Sequence, residues 1–371
     1  MDAHFNVLDA AVSLTGPAEI LKPIVTAYGR FVVPREECRS PARIVLETGE
    51  GGGIRIDDRT FPFAADLDPV FQLYQQFLLT VLDQVGSCAV LHGAALVDRR
   101  GDAFLVAAPA GHGKTSLTLE LVSRGYTMLS DDYAPLDLET ACVHPYPRTV
   151  AVLPDGDAPI PEAFRSASRD PQAVRLFEKV LVDVGHLLGE ERLARQPAPL
   201  RRVLLLSGYG DDAPGAASTW LQVATESKRA DRLEAGMRGI DGVEILERSE
   251  VSHLRVWRLR LHHDRYPTSE LMRLIDGEEA RYCEKYWETQ PDFNATPSSR
   301  PLGRRETAEL LGRELLNRRK GGRFMARYTG GVAEVFFDLA GALRDCGCHR
   351  ISVGRFSETA DLIENVLLET T

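Results

Sequence analysis

The chain has 371 residues, of which 44% are hydrophobic and 26% charged, the balance of an ordinary soluble protein long enough for two or three domains. Its net charge of −10 argues against broad nucleic-acid binding, which rests on neutralising phosphates. No apolar run is long enough for a membrane span, and Met1-Asp2-Ala3-His4-Phe5 lacks the basic and apolar regions of a signal peptide, so a cytoplasmic protein is expected.

Residues 1–88 read as a small α+β accessory domain. The stretch 5–14 is expected to be a strand, and 17–28 an amphipathic helix with Pro17 near its start. Residues 42–47 and 53–56 flank Glu50-Gly51-Gly52 and suggest a hairpin. A helix is expected over 68–85, with Phe71, Tyr74, Phe77, Leu78, Val81, Leu82 and Val85 on one broad, core-facing side. This part holds no catalytic constellation; substrate recognition or assembly is its expected use.

Residues 89–290 are expected to form the catalytic domain. Residues 103–108 are an apolar run of buried-strand type, and 116–124 form a helix that Gly125 stops. Between them lies Ala108-Pro109-Ala110-Gly111-His112-Gly113-Lys114-Thr115. This is the phosphate-binding pattern G-x-x-x-x-G-K-[ST] with alanine at its first glycine. Gly111 and Gly113 let the backbone turn its N–H groups onto one anion, and the helix start adds unpaired donors and a positive dipole end. Lys114 is placed to reach the outer phosphates and Thr115 to ligate magnesium. The expected nucleotide contacts are Ala110, Gly111, His112, Gly113, Lys114, Thr115 and Ser116, with the His112 side chain a spectator. Residues 126–130 read as a second strand with Asp131 and Asp132 at its C-terminal end, the edge at which open α/β sheets bind ligands. One of the two carboxylates can hold the metal, directly or through water, and the other can take the proton of an acceptor hydroxyl. Arg148, in Pro145-Tyr146-Pro147-Arg148, is the candidate for a phosphate-clamping arginine.

Further along, 200–206 is a buried-strand candidate and 208–217 a Gly-, Asp- and Pro-rich loop. Residues 254–261 alternate apolar side chains with Arg255, Arg258 and Arg260, which are expected on a solvated strand face. His262-His263-Asp264 is expected to be a surface turn. Residues 291–371 are expected to be a linker and a C-terminal α/β appendage. The linker spans 290–300, and a helix is expected over 307–317. The basic run Arg318-Arg319-Lys320-Gly321-Gly322-Arg323 then reads as a solvated, mobile loop, with docking of an acidic peptide as the functional alternative. Residues 333–343 and 357–368 look helical and 349–353 extended. Six scattered cysteines fit a reduced protein without a disulfide framework, and Cys346-Gly347-Cys348-His349 lacks the second ligand pair of a zinc site.

Between Leu91 and Asp132 the chain resembles the catalytic core of the HPr kinase/phosphorylase family. The resemblance is carried by Leu91-His92-Gly93, Leu96-Val97-Asp98, the phosphate loop, Leu119-Glu120-Leu121, Arg124-Gly125-Tyr126 and Ser130-Asp131-Asp132, in that order. It implies the fold of the phosphoenolpyruvate carboxykinase nucleotide-binding domain, a mixed twisted sheet with helices. It also implies catalytic roles for His92, Lys114 and Asp132, Thr115 and Asp131 at the metal, and a homo-oligomer. Without the resemblance His92 reads as an ordinary strand-end histidine. The family's second signature, a Glu-Ile-Arg-Gly-type segment, has no counterpart here. The likeness is therefore closer to the divergent relatives found beside peptide and natural-product biosynthesis genes, and HPr is not the implied substrate.

The expected function is ATP- and Mg²⁺-dependent transfer of the γ-phosphate to a hydroxyl, on Ser or Thr of a peptide or protein or on a small-molecule alcohol. A nucleotide-binding or ATPase module that regulates a partner is the alternative. Carboxykinase chemistry would need further carboxylate-binding and metal residues that the sequence does not display.

Overall fold

The structure, a computed structural model, describes residues 1–47, 52–63, 68–108, 111–154, 159–207, 218–251, 254–262, 268–278, 280–285 and 292–368. Among these residues the chain is mixed α/β, with helices laid on several sheets. The N-terminal sheet takes β1 (Asp2–Val7), β2 (Ala10–Thr15), β3 (Ala42–Glu47), β4 (Gly53–Ile56) and β5 (Arg59–Pro62) in chain order. Helices α1 (Ala18–Ala27) and α2 (Pro69–Gln84) complete its core. The side chain of Asp68 caps α2 by accepting from Val70 N, and Pro69 starts it where no amide donor is needed.

The single strand expected over 5–14 is a hairpin, with Val7 opposite Ala10. Leu8 makes the turn at φ 57°, in the left-handed region. No glycine or Asn-Gly pair marks it. Both strands send alternate residues (Phe5, Val7, Val12, Leu14) into one core, so the apolar pattern runs on through the turn.

The central sheet starts with β6 (Ala89–Val97), β7 (Ala103–Ala107), β8 (Thr127–Ser130), β9 (Tyr133–Asp137) and β10 (Cys142–Val143), with α3 (Lys114–Ser123) between β7 and β8. A small sheet of β11 (Val150–Val152), β12 (Arg175–Leu176) and β13 (Lys179–Val182) follows, with α4 (Glu162–Ser168) and α5 (Val184–Leu188). Then β14 (Ala198–Ser207) pairs in parallel with β7. The chain next forms β15 (Ser218–Glu226), α6 (Ser227–Arg238), β16 (Val243–Val251), β17 (Leu254–His262), α7 (Thr268–Gly277) and β18 (Arg281–Lys285). These make a separate sheet in the order β16-β17-β15-β18 around Trp257, which is fully buried. Arg258 and Arg260 pair with Glu247 and Glu244 across β16 and β17 on the polar face, whereas Arg255 alternates onto the face that α6 covers and pairs there with Glu250 and Asp231, a departure from the expected solvated face.

The C-terminal residues return to the central sheet as β19 (Ser298–Pro301), α8 (Arg304–Arg313), α9 (Val332–Ala342), β20 (Gly347–Ser352) and α10 (Phe356–Leu368). Its order is β10-β9-β6-β7-β14-β20-β19, with β8 on the free part of β6. Along β7, Phe104 and Val106 join the core beneath α3 and α10, while Leu105 and Ala107 join the core beneath α8 and α9. Helices thus cover both faces, which is why this strand reads as an unbroken apolar run.

Three expectations for the C-terminal part are corrected. The linker over 290–300 gives way at Ser298 to β19, which pairs antiparallel with β20. The helix expected over 307–317 stops at Arg313, because the next residues leave it to lie along β6. Leu315 bridges Leu91, Leu316 N donates to Val90 O, and the Asn317 side chain accepts from Val90 N. The basic run is only partly solvated, with Lys320 and Arg323 exposed. Arg318 is buried, Arg319 pairs with Asp83 at 2.7 Å and Arg323 faces Asp9 at 3.6 Å. Acidic side chains of the N-terminal part hold it down, a long-range pairing that local charge density does not reveal. Ala110, 208–217, His263, Asp264, Gln290 and Pro291 lie outside the described residues.

Candidate active site

The site sits where β7 ends. Gly93 of β6 lies opposite Ala107, the last residue of β7, so Ala89–His92 runs past the end of its neighbour. On the other side of β6, β8 stops with Ser130 opposite Ala95. Asp131 and Asp132 therefore fall level with Ala94 and Gly93, next to His92, and Gly93 N donates to Asp132 O at 3.1 Å. On its other side Gly93 permits the close approach of β7: a Cβ there would lie 3.1 Å from Val106 O. The ends of β7 and β8 thus bring the start of the loop and the aspartate pair to the edge where His92 of β6 lies.

The loop enters α3 through two left-handed residues, Gly111 (φ 85°) and Gly113 (φ 80°), the second being the N-cap. A non-glycine residue pays for this conformation with a clash between its Cβ and backbone. Phe293 and Phe356 stand beside Gly113, 3.5 and 3.9 Å from where its Cβ would be. Lys114 is buried and donates to Ala108 O at 2.6 Å. Thr115 is half-buried, Ser116 and His112 are buried, and Gly111 is exposed.

His92 lies between two carboxylates. Its Nε2 is 3.2 Å from Asp132 Oδ1 and its Nδ1 is 3.1 Å from Glu314 Oε2. Burial works against a charged imidazole, but the hydrogen bonds to Asp132 and Glu314 outweigh it and raise the pKa of His92. Arg148, also buried, lies on the aspartate pair. Its Nη2 is 3.1 Å from Asp132 Oδ2 and its Nε 3.5 Å from Asp131 Oδ1. Its Nη1 donates to the Tyr74 hydroxyl at 2.7 Å, and its guanidinium covers the Tyr133 ring.

These surroundings drive the two aspartates apart. Burial pushes Asp131 up to about 6, with Arg148 opposing and Asp132 adding to the shift. Burial also opposes ionisation of Asp132. There the His92 hydrogen bond, with the charges of Arg148, His92 and Lys114, prevails and holds the carboxyl well below its usual range. The Asp132 side chain keeps 31% of its surface in solvent and that of Asp131 only 4%, so Asp132 is the carboxylate that a substrate can touch.

Of the residues expected from sequence, His92, Asp131, Asp132 and Arg148 make one contiguous network, and the charge of Lys114 reaches His92 and Asp132. Glu314 and Tyr74 are additions. Tyr74 shows in the sequence only as one more member of an apolar helix face. Glu314 stands 222 positions from His92 with no motif around it, so nothing local could signal it. Among the described residues no group of three or more His, Cys, Asp or Glu side chains is arranged to hold a metal ion. Hard oxygen donors are nevertheless present. Asp131 Oδ1 is buried and accepts no hydrogen bond, and Thr115 adds a hydroxyl in the first turn of α3; both are oxygen donors of the kind Mg²⁺ takes.

No protein-family model matches the chain, and no curated protein matches it. Among solved structures it is similar to the Hpr(Ser) kinase/phosphatase from Coxiella burnetii over 35% of this chain and 75% of that one, at 19% identity and a TM-score of 0.24. At that TM-score the likeness carries no argument, and the functional reading rests on the site itself.

Proposed function

We propose that this chain is a kinase that transfers the γ-phosphate of ATP to an alcohol hydroxyl, with Mg²⁺ as cofactor and a Ser or Thr of a peptide or protein as the favoured acceptor. The observation that carries this reading is the edge shared by two features. One is a glycine-bent strand–loop–helix with a buried lysine; the other is a partly exposed aspartate held ionised by His92 and Arg148.

Each residue has a role in that scheme. The amides at the start of α3 and the positive end of its dipole bind phosphate, and Lys114 adds a charge. Thr115 and Asp131 hold the metal, which when bound would neutralise charge on the phosphoryl group. Asp132 orients the acceptor hydroxyl and receives its proton. A carboxylate held this far down is a weak base, so the proton moves late. A loose phosphoryl-transfer transition state asks mainly for positioning and electrostatic stabilisation. Arg148 and His92 keep Asp132 charged and aimed.

The regulatory ATPase reading has one observation in its favour: Asp132 is already paired on both sides, as it would be in a module that needs no base. Incubation with γ-labelled ATP and Mg²⁺ in a cell extract, split into peptide and small-molecule fractions, separates the two. Label is expected in the peptide fraction. Asp132→Asn should lower its transfer by about 10²–10⁴-fold, the usual contribution of a proton acceptor, while ATP still binds. Release of free phosphate alone, with ATP bound, would favour the ATPase reading.

A further inference from the structure

Among the described residues, Glu314 is the side chain hydrogen-bonded to His92 that neither the loop nor the aspartate pair supplies. It comes from the turn after α8, and the backbone ties it down twice over. His92 N donates to Glu314 O at 2.8 Å, and the following residues pair with β6 through Leu91 with Leu315 and Val90 with Leu316. Asn317 then fastens the segment, accepting from Val90 N at 3.0 Å and donating to Cys88 O at 2.9 Å. A strand-like anchor thus fixes the carboxylate beside the imidazole, with only 16% of the Glu314 side chain in solvent.

We propose that Glu314 is a positioning residue of this site, holding His92 Nδ1 so that Nε2 is aimed at Asp132. A neutral imidazole has one N–H and can donate to only one of the two carboxylates. Both are within hydrogen-bond reach, at 3.1 and 3.2 Å, so the arrangement is satisfied when both ring nitrogens carry protons. The Glu314–His92–Asp132 chain then places a fixed cation beside the acceptor-side aspartate. His92 faces Asp132 and Glu314 directly; the charge of Lys114 acts on it from the loop, and Arg148 lies across Asp132. The two carboxylates stabilise the imidazolium and Lys114 opposes it, so removing one carboxylate tips the balance towards the neutral ring.

This extends the kinase reading but is tested without it. The His92 ring nitrogens are followed by ¹H–¹⁵N NMR against pH in the full chain without nucleotide, in the wild type, Glu314→Gln and Glu314→Asp. Glu314→Gln keeps the shape and the backbone pairing and removes the charge. Its His92 midpoint is expected to fall by about 1 pH unit or more, the scale of a lost neighbouring charge. Glu314→Asp, which restores the charge at longer reach, is expected to lie between the two. An unchanged midpoint and tautomer in Glu314→Gln would overturn the proposal and leave Glu314 as a tie of the fold. Should Glu314→Gln fail to fold, the Asp variant decides: a midpoint equal to the wild type overturns the proposal, and a lowered one supports it. Since the titration needs no phosphoryl transfer, a chain without kinase activity would defeat the kinase reading and leave this result standing. Where transfer is observed, Glu314→Gln is expected to lower kcat more than it raises KM for ATP.

Discussion

Arg148 is the residue on which the charges of the site converge. It is buried, as is Asp131, and it touches both aspartates and Tyr74. Removing one partner from a buried ion pair leaves the other charge stranded, at a cost of about 3–5 kcal/mol. Arg148→Ala is expected to lose stability on that scale in denaturant unfolding; a loss below about 1 kcal/mol would mean that water reaches the aspartates. His92 adds a pH dependence whose sign is fixed. Its pKa in the folded chain lies above the ordinary 6.5. Its contribution is therefore fully present below pH ~6.5 and is lost as pH rises through the folded value. Unfolding followed from pH 6 to 9 should show the wild type losing stability across that interval and His92→Gln losing less. Equal slopes would mean that His92 is not held as a cation.

At the scale of elements, the turn between β7 and α3 depends on backbone rather than side chains. Gly113→Ala forces a Cβ into the left-handed region, at about 1–2 kcal/mol, where the first turn of α3 must present its amides. Lower stability together with weaker ATP binding is expected. Gly101, at φ 89° with open space around it, is the control: alanine there should cost similar stability and leave ATP binding unchanged. This turn was legible in the sequence because its signals are local: an apolar run, glycines, a lysine and a helix of the right length. The lengths of α1 and α2 were legible for the same reason, through Pro17 and through the spacing of the apolar face from Phe71 to Val85. Long-range pairing was not. The hairpin of β1 and β2 hid inside one apolar pattern, and α8 ends early only because 315–317 find partners on β6. Arg148 was singled out as the candidate phosphate clamp in Pro145-Tyr146-Pro147-Arg148; its contacts to both aspartates are long-range pairings that no local pattern signals. Glu314 was illegible for want of any local pattern.

At the scale of the whole molecule, the cores divide unevenly. The N-terminal core is continuous with the central one. Val90, Tyr133 and Tyr146 pack with Phe5, Tyr28 and Phe77, and Tyr74 reaches Arg148. The sheet of β15 to β18 is different, because its buried cluster draws only on residues 221–280. Its ion pair to β5, Arg59 with Glu226, spans 3.9 Å, and the arginine is 70% exposed, a geometry that contributes little. Among the described residues this sheet has a core of its own, and a unit of that kind should open without its neighbours. Trp257 tests this, since it is fully buried and donates from Nε1 to Glu234. Trp257→Ala should remove about 3–5 kcal/mol, felt inside that sheet alone. Hydrogen exchange should then speed up in β15, β16 and β17 and stay unchanged in β7 and α3, with ATP binding retained. If protection falls through β7 as well, the sheet is one cooperative unit with the site. Opening of the sheet would then be coupled to the turn between β7 and α3 through the fold, with no need for a direct contact.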